Sequence, residues 1–387
     1  MPRRLITKLE SLFWAINPPR ILDYYENTGQ KPRGSVLVSY LSEPFKWRRD
    51  DRRFLGHSNC WESMEIVRIL NRIGYKVDAI QWHDTDFIPG KEYAAIFDIH
   101  KNLIRYGGDD AVRIFHVTGS NPRFSNLAEL ERIADLKVRR NQVVTPRRSV
   151  SPEEVELFHR NLDAAGIITL LGNETTADTY PALFRHKMRF IPVTGSYLAE
   201  LRDPWKTQFK REFLWYGGVG AVHKGLDLVL EIFSRHPDLL LHVIGPYRKE
   251  QDFMKIYRHE LARCPNIISH GYMYPSSRKF RLLTEHVTAF ILPSCSESTS
   301  TAAVTCMQYG LLPVVSVNCG VGLDREMGIT LQNCSIDEIE QAVLTLCDTP
   351  EKDIRQMSAK AQEFALNTFS RDAFTRCMHD VLAGALS

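Results

Sequence analysis

Short apolar runs alternate along the chain with longer stretches whose apolar positions recur every three to four residues. The runs at 35–41 (SVLVSYL), 75–81 (YKVDAIQ), 93–100 (YAAIFDIH), 112–118 (VRIFHVT), 167–171 and 188–193 have the length and near-continuous apolarity of strands buried on both faces of a parallel sheet. Helical spacing predicts helices over 61–73, 126–140 and 151–165; Ser58 or Asn59 can cap the first and Gly74 ends it. Strand–helix–strand units of this kind wind right-handed. The polar stretch that follows, with Pro204 in it, reads as a linker. The alternation then restarts, with strands over 213–216, 239–244, 266–270, 288–293 and 312–317. Its helices fall over 226–234, 252–263, 301–309, 336–348, 352–367 and 371–385. The pattern predicts an α/β chain of two doubly wound domains facing each other across a cleft. The expected segments are an amphipathic N-terminal stretch over 1–30, a first domain over 31–200 and a linker over 201–212. A second domain over 213–367 and a closing helix over 368–387 complete the chain.

Composition adds limits. A chain of 387 residues with 44% hydrophobic and 25% charged residues can bury two cores. A net charge of +3 is too small to point to nucleic acid. No run approaches the roughly 18 apolar residues of a membrane helix, and the start lacks the apolar core of a signal peptide. The eight cysteines form no CxxC pair and no Cys/His metal spacing, so they read as reduced thiols in a cytoplasmic protein. Within residues 2–20, Leu5, Leu9, Leu12, Phe13 and Ile16 share a helical face, with Arg3, Arg4 and Lys8 elsewhere. That segment reads either as a helix packed on the domain or as a peripheral membrane contact.

The chemistry concentrates in 287–317, VTAFILPSCSESTSTAAVTCMQYGLLPVVSV. A helix that starts where a buried parallel strand ends aims its free N–H groups and positive dipole end into a crevice, where phosphates bind. Ser298, Thr299 and Ser300 stand there as caps or hydroxyl donors, and Glu297 stands at the mouth as a cap or a ligand contact. About seventy residues earlier, Gly217 and Gly218 open the loop GGVGAVHKG, which ends on Lys224 and Gly225. Its spacing is neither a Walker loop nor a dinucleotide fingerprint. Gly245 follows a further strand, and the turn through Tyr272 is either a nucleobase-reading turn or a plain surface one. In the first half, the charged loop 43–53 and the run Gly56-His57-Ser58-Asn59 follow a strand end. His100 and His116 lie near strand ends as structural hydrogen-bonders or as substrate contacts.

The half from Phe213 to Val317 closely resembles retaining glycosyltransferases of the GT-B fold, the group-1 or family-four class, whose two domains are Rossmann-like. The resemblance runs through His223-Lys224-Gly225, Val243-Ile244-Gly245, His270-Gly271-Tyr272, Pro293-Ser294-Cys295-Ser296-Glu297 and the stretch from Cys306 to Val314. Three positions depart from the family pattern: its second glutamate falls on Thr305, its arginine five positions before the lysine is Val219, and its glycine after the first glutamate is Ser298. The resemblance implies a glycosyltransferase acting on a nucleotide-diphosphate sugar. Glu297 would act at the reacting centre, where His116 and His100 are further candidates from their places near strand ends and not from the resemblance. Gly217, Gly218, Lys224, Gly245, Tyr272, Ser298, Thr299, Ser300 and Thr305 would hold the donor. Gly56, His57 and Asn59 would meet a saccharide, lipid-linked saccharide or protein acceptor. No cofactor and no obligatory metal are implied. A binding or scaffold relative without donor chemistry, or another GT-B enzyme such as a nucleotide-sugar epimerase, stays open.

Overall fold

The computed structural model describes residues 17–26, 29–198 and 200–387, so most of the amphipathic stretch over 2–20 lies outside the described residues. The first sheet contains β1 (Ile21–Tyr24), β2 (Gly34–Tyr40), β3 (Tyr75–Gln81), β4 (Ala95–Asp98), β5 (Val112–Val117), β6 (Ile167–Leu170) and β7 (Met188–Phe190). Its order is β1-β3-β2-β4-β5-β6-β7, parallel throughout except for β1, which runs antiparallel to β3. The second sheet contains β8 (Lys210–Tyr216), β9 (Leu240–Ile244), β10 (Ile267–Gly271), β11 (Val287–Leu292), β12 (Leu312–Ser316) and β13 (Ile329–Leu331). Its order is β10-β9-β8-β11-β12-β13, and every pair is parallel. Strand order therefore reverses between β2 and β4 in the first sheet and between β8 and β11 in the second. In open α/β sheets the crevice beyond the carboxyl ends of such a pair is where ligands bind.

The periodicity missed β1 and β13, which are edge strands of four and three residues, too short to carry a repeat. Among the described residues the helices of 8 residues or more are α1 (Ser58–Arg72), α2 (Pro122–Arg140), α3 (Pro152–Ala164), α4 (Leu226–Phe233), α5 (Thr301–Tyr309), α6 (Ile336–Asp348), α7 (Glu351–Thr368) and α8 (Arg371–Ala385). Helix α2 starts four residues before the expected 126, because Pro122 suits a first turn and the Asn121 side chain accepts from the Arg123 amide. Ser151 and Glu154 form a reciprocal capping box on α3. The helix expected over 252–263 is two short ones, broken at Tyr257. Strand β11 is buried at every position, as its unbroken apolar run requires, and so is α4.

The chain crosses between domains earlier than expected. The amide and hydroxyl of Thr194 donate to the buried Glu62 carboxylate of α1, at 2.9 and 2.8 Å, and the Ser196 amide donates to the Thr305 hydroxyl at 2.9 Å. Beyond the crossing, the Arg202 guanidinium donates to the carbonyls of Thr284 and Val287. The segment over 201–209 is thus packed onto the second domain, and the crossing sits near 194–198 instead of the expected 201–212. Helix α8 returns to the first domain. Phe374 meets Trp61 edge-on at 5.7 Å, Arg371 lies over the same indole at 4.8 Å, and the Tyr75 hydroxyl donates to the Leu386 carbonyl.

Candidate active site at the second strand-order reversal

The two loops singled out by sequence follow β8 and β11, the neighbours at which the order of the second sheet reverses. Their key side chains meet there: the Lys224 ammonium pairs directly with the Glu297 carboxylate, and both side chains are nearly closed off from solvent. Burial pushes the Glu297 carboxyl up, but Lys224, His223 and Arg148 more than offset it and hold it below the usual value. It is therefore a carboxylate at neutral pH. His223 ties the two loops together by donating from Nε2 to the Ser296 carbonyl at 2.7 Å, while burial keeps its ring neutral. The Cys295 amide donates to the His223 carbonyl at 2.9 Å.

Several expected donor groups have other partners. The amides of Gly220 and Ala221 donate to the Glu250 carboxylate, at 2.8 and 3.0 Å, so the glycine loop already cradles an internal anion. At the start of α5, the Thr299 amide donates to the Leu171 carbonyl and the Ser300 amide to the Cys319 carbonyl. The Ser300 hydroxyl caps the helix through the Ala303 amide, and the Thr299 hydroxyl donates to the Gly320 carbonyl. Among the described residues the amides of Gly218, Val219, Glu297 and Ser298 have no partner. Gly217 and Gly245 have packing reasons: a Cβ on Gly217 would lie 2.5 Å from the Trp215 ring, and one on Gly245 would lie 2.6 Å from the Gly217 carbonyl. Tyr272 is 55% exposed, and the one aromatic ring against it among the described residues is that of Tyr274, edge-on at 5.0 Å. Thr305 corrects the expectation of a donor contact. It is fully buried, its hydroxyl donates to the Thr301 carbonyl and accepts from the Ser196 amide, and it fastens the crossing.

The first domain closes over this pair. The Ser120 hydroxyl donates to the Glu297 carbonyl, the Ser298 hydroxyl to the Thr118 carbonyl at 3.0 Å, and the Thr176 hydroxyl to the Ser298 carbonyl at 2.9 Å. Helix α2 lies against the second domain through charges: Arg139 pairs with Asp227 and Arg140 with Glu231, both on α4, and Arg140 also with Glu260 on the short helix Arg258–Arg263. Arg132 donates to the Pro293 carbonyl at 3.1 Å.

His116 is a correction. It is completely buried between Tyr40 and Phe97, and Nδ1 bonds the Thr169 hydroxyl at 2.8 Å. Burial pushes its pKa down to about 3, so it is a neutral core residue with no face toward a substrate. The strand end was read correctly but the residue was not: Thr118 and Ser120, two and four positions on, reach the Glu297 loop. His100 is half-buried against Trp82 at the other reversal, and no hydrogen bond or ion pair joins it to Lys224 or Glu297. Gly56 packs under the Tyr274 ring from the second domain, His57 is exposed, and Asn59 is half-buried beside Ser58. The residues that sequence reasoning missed are Ser120, Glu250 and Arg148. Only Arg148 left a trace, as half of a basic doublet before the α3 cap. Among the described residues no group of three or more His, Cys, Asp or Glu could hold a metal ion, and no helix is long and apolar enough to cross a membrane.

Comparison with known proteins bears on the fold and on the second domain. Residues 210–349 match the family model for glycosyl transferases group 1. No curated protein matches the sequence. Sucrose-phosphate synthase from Thermosynechococcus elongatus is similar in structure, with a TM-score of 0.64 and 12% identity over 91% of this chain and 98% of its own. HepE from Anabaena, solved with UDP and glucose, gives 0.55 and 12% over 91% and 99%. TarM of S. aureus gives 0.54 and 12% over 76% of this chain, which spans only 54% of TarM. The chain thus carries the two-domain GT-B fold, and its residues 210–349 match the group 1 glycosyltransferases.

Proposed function

We propose that the protein is a glycosyltransferase that moves a sugar from a nucleotide-diphosphate sugar to an acceptor hydroxyl, with retention at the anomeric carbon, in the synthesis of a glycan or cell-envelope polysaccharide. The observation that carries this reading is the buried pairing of Lys224 with Glu297 at the β8/β11 reversal. In the reaction the acceptor oxygen bonds to the anomeric carbon as the bond from that carbon to the diphosphate oxygen breaks. The electron pair stays on the leaving oxygen, and the acceptor proton ends on the diphosphate. Charge therefore builds where Lys224 and the unpartnered amides of Gly218 and Val219 stand, and preorganised donors of this kind lower the barrier. Glu297 accepts hydrogen bonds from sugar hydroxyls and fixes the ring. The acceptor, a saccharide that is free, lipid-linked or protein-borne, approaches from the first domain near Gly56, His57 and Asn59. The described form is closed, so entry of the donor requires the Ser120 and Ser298 contacts to part.

UDP-sugars are the first donors to try, because the HepE and TarM structures hold UDP. The test incubates the protein with a panel of nucleotide sugars and measures release of nucleoside diphosphate. Glu297→Gln is expected to lower that release about a hundredfold. Equal release from both forms, with every sugar, would remove Glu297 from the chemistry. One observation favours a second reading, a donor-binding protein without transfer: Thr305, where the resembling family has a glutamate, is sealed inside the crossing. Binding without turnover across the panel would select it.

A further inference from the structure

The proposed diphosphate site is short of positive charge. Lys224 and Glu297 neutralise each other, and the glycine loop supplies no other cation of its own: Val219 is 46% exposed, and Glu250 already fills the cradle at Gly220 and Ala221. A leaving diphosphate brings several negative charges to this spot.

The first domain carries a cation to it. In the segment before α3, the buried carboxylate of Glu129 accepts from the amides of Arg147 at 2.9 Å, Arg148 at 3.0 Å and Ser149 at 2.7 Å, and from the Ser149 hydroxyl at 2.7 Å. This pins the turn at 147–149 to α2, and Arg147 ties it to Asp252 of the second domain. From there the aliphatic stem of Arg148 crosses the Gly220 turn: a Cβ on Gly220 would stand 3.0 Å from its Cγ and 3.6 Å from its Cδ. Gly220 itself has φ +93°, so this position both adopts a left-handed backbone and leaves room for the stem. The neighbouring arginines are all engaged, Arg139 with Asp227, Arg140 with Glu231 and Glu260, and Arg147 with Asp252. Arg148 is exposed, and among the described residues its guanidinium makes no hydrogen bond or ion pair, although it acts electrostatically on Glu297.

We propose that Arg148 is the second cation of the diphosphate site, supplied from the opposite domain, so that a full grip on the donor exists only when the domains are closed. This rests on the nucleotide-sugar reading above. A planar guanidinium offers two parallel N–H groups to a phosphate, which an ammonium cannot. The geometry makes Arg148 a binding residue whose position Glu129 sets.

The test is isothermal titration of the full chain with UDP and GDP, each compared with its monophosphate. Arg148→Ala is expected to weaken diphosphate binding roughly ten- to hundredfold, with a much smaller loss for the monophosphate. Arg148→Lys should recover part of the loss, and the salt dependence of binding should be shallower in Arg148→Ala than in the natural protein. Arg148 is on the surface, so the variant folds, and a melting curve matching the natural protein checks this. Unchanged diphosphate affinity in Arg148→Ala, alongside a clear loss in Lys224→Gln, would overturn the role of Arg148 and leave the site standing. Absence of binding of either diphosphate to the natural protein would overturn both.

Discussion

The two domains share an architecture, and each has one reversal of strand order, yet the two reversals hold different chemistry. At the first, between β2 and β4, the buried Asp98 carboxylate accepts from the amides of His100, Asn102 and Leu103, and Asn102 bonds the Ser39 hydroxyl. The acid stitches its own loop. At the second, between β8 and β11, the Glu297 carboxylate pairs with a single side-chain ammonium, that of Lys224, among the described residues, while its backbone carbonyl is held by Ser120 from across the cleft. Both are carboxylates closed off from solvent near the carboxyl ends of parallel strands, Asp98 as the last residue of β4 and Glu297 in the loop after β11. The difference lies in what satisfies them: three backbone amides make a structural fastener at Asp98, whereas Glu297 is satisfied by one side-chain ammonium, the partner a ligand would have to displace. The environments also push the two acids in opposite directions. Burial raises Asp98 to about 6, against its hydrogen bonds, while Lys224 and His223 keep Glu297 low despite its burial.

Exchanging the roles of these acids gives the sharpest tests. The largest expected effect is on stability. Asp98→Ala leaves three amides without an acceptor and should cost about 3 kcal/mol or more in denaturant unfolding, with little change in diphosphate affinity of the fold that remains. Glu297→Gln should do the reverse: a small change in unfolding, and about a hundredfold loss of turnover, which is about 2.7 kcal/mol of barrier. If both substitutions cost mainly stability, the contrast between the two reversals fails.

The next effect is in pH dependence. The folded pKa of Asp98 lies above its ordinary 3.8, so the folded state binds more protons and stability falls as pH rises from about 4 to about 6. Asp98→Asn should remove that decline, which is at most about 3 kcal/mol. Glu297 has the opposite sign: its contribution is present above the ordinary carboxyl range and is lost as pH falls through its lowered pKa. Glu297→Gln should therefore flatten the acid side of the unfolding curve. Matching slopes in the two variants would contradict the assignment. The smallest effect concerns the core histidine. His116→Gln should lower stability by about 1–2 kcal/mol and leave diphosphate binding within about twofold, as titration and thermal unfolding would show.

Much of this was legible because apolar runs report sheet burial directly. The strands over 287–292 and 312–316 and the helix between them fall where their pattern places them, and the juxtaposition of Lys224 with Glu297 follows from the strand order their domain adopts. Three kinds of feature were not legible. Edge strands of three or four residues carry no period. The partner of a polar residue is not encoded near it, so His116 and Thr305 read like ligands while their hydrogen bonds go to Thr169, Thr301 and Ser196. Contacts across the cleft join residues more than seventy positions apart, as Arg148 and Gly220 do, and no local spacing reveals them.

The central claim is that the second reversal grips a diphosphate through Lys224. Its most direct test is the dissociation constant of UDP and GDP, by isothermal titration, for the natural protein and for Lys224→Gln, which keeps a hydrogen-bond donor beside Glu297. The account predicts a loss of tenfold or more in the variant, the worth of one charge-assisted contact. Equal affinity in the two proteins, with both folded, would contradict it.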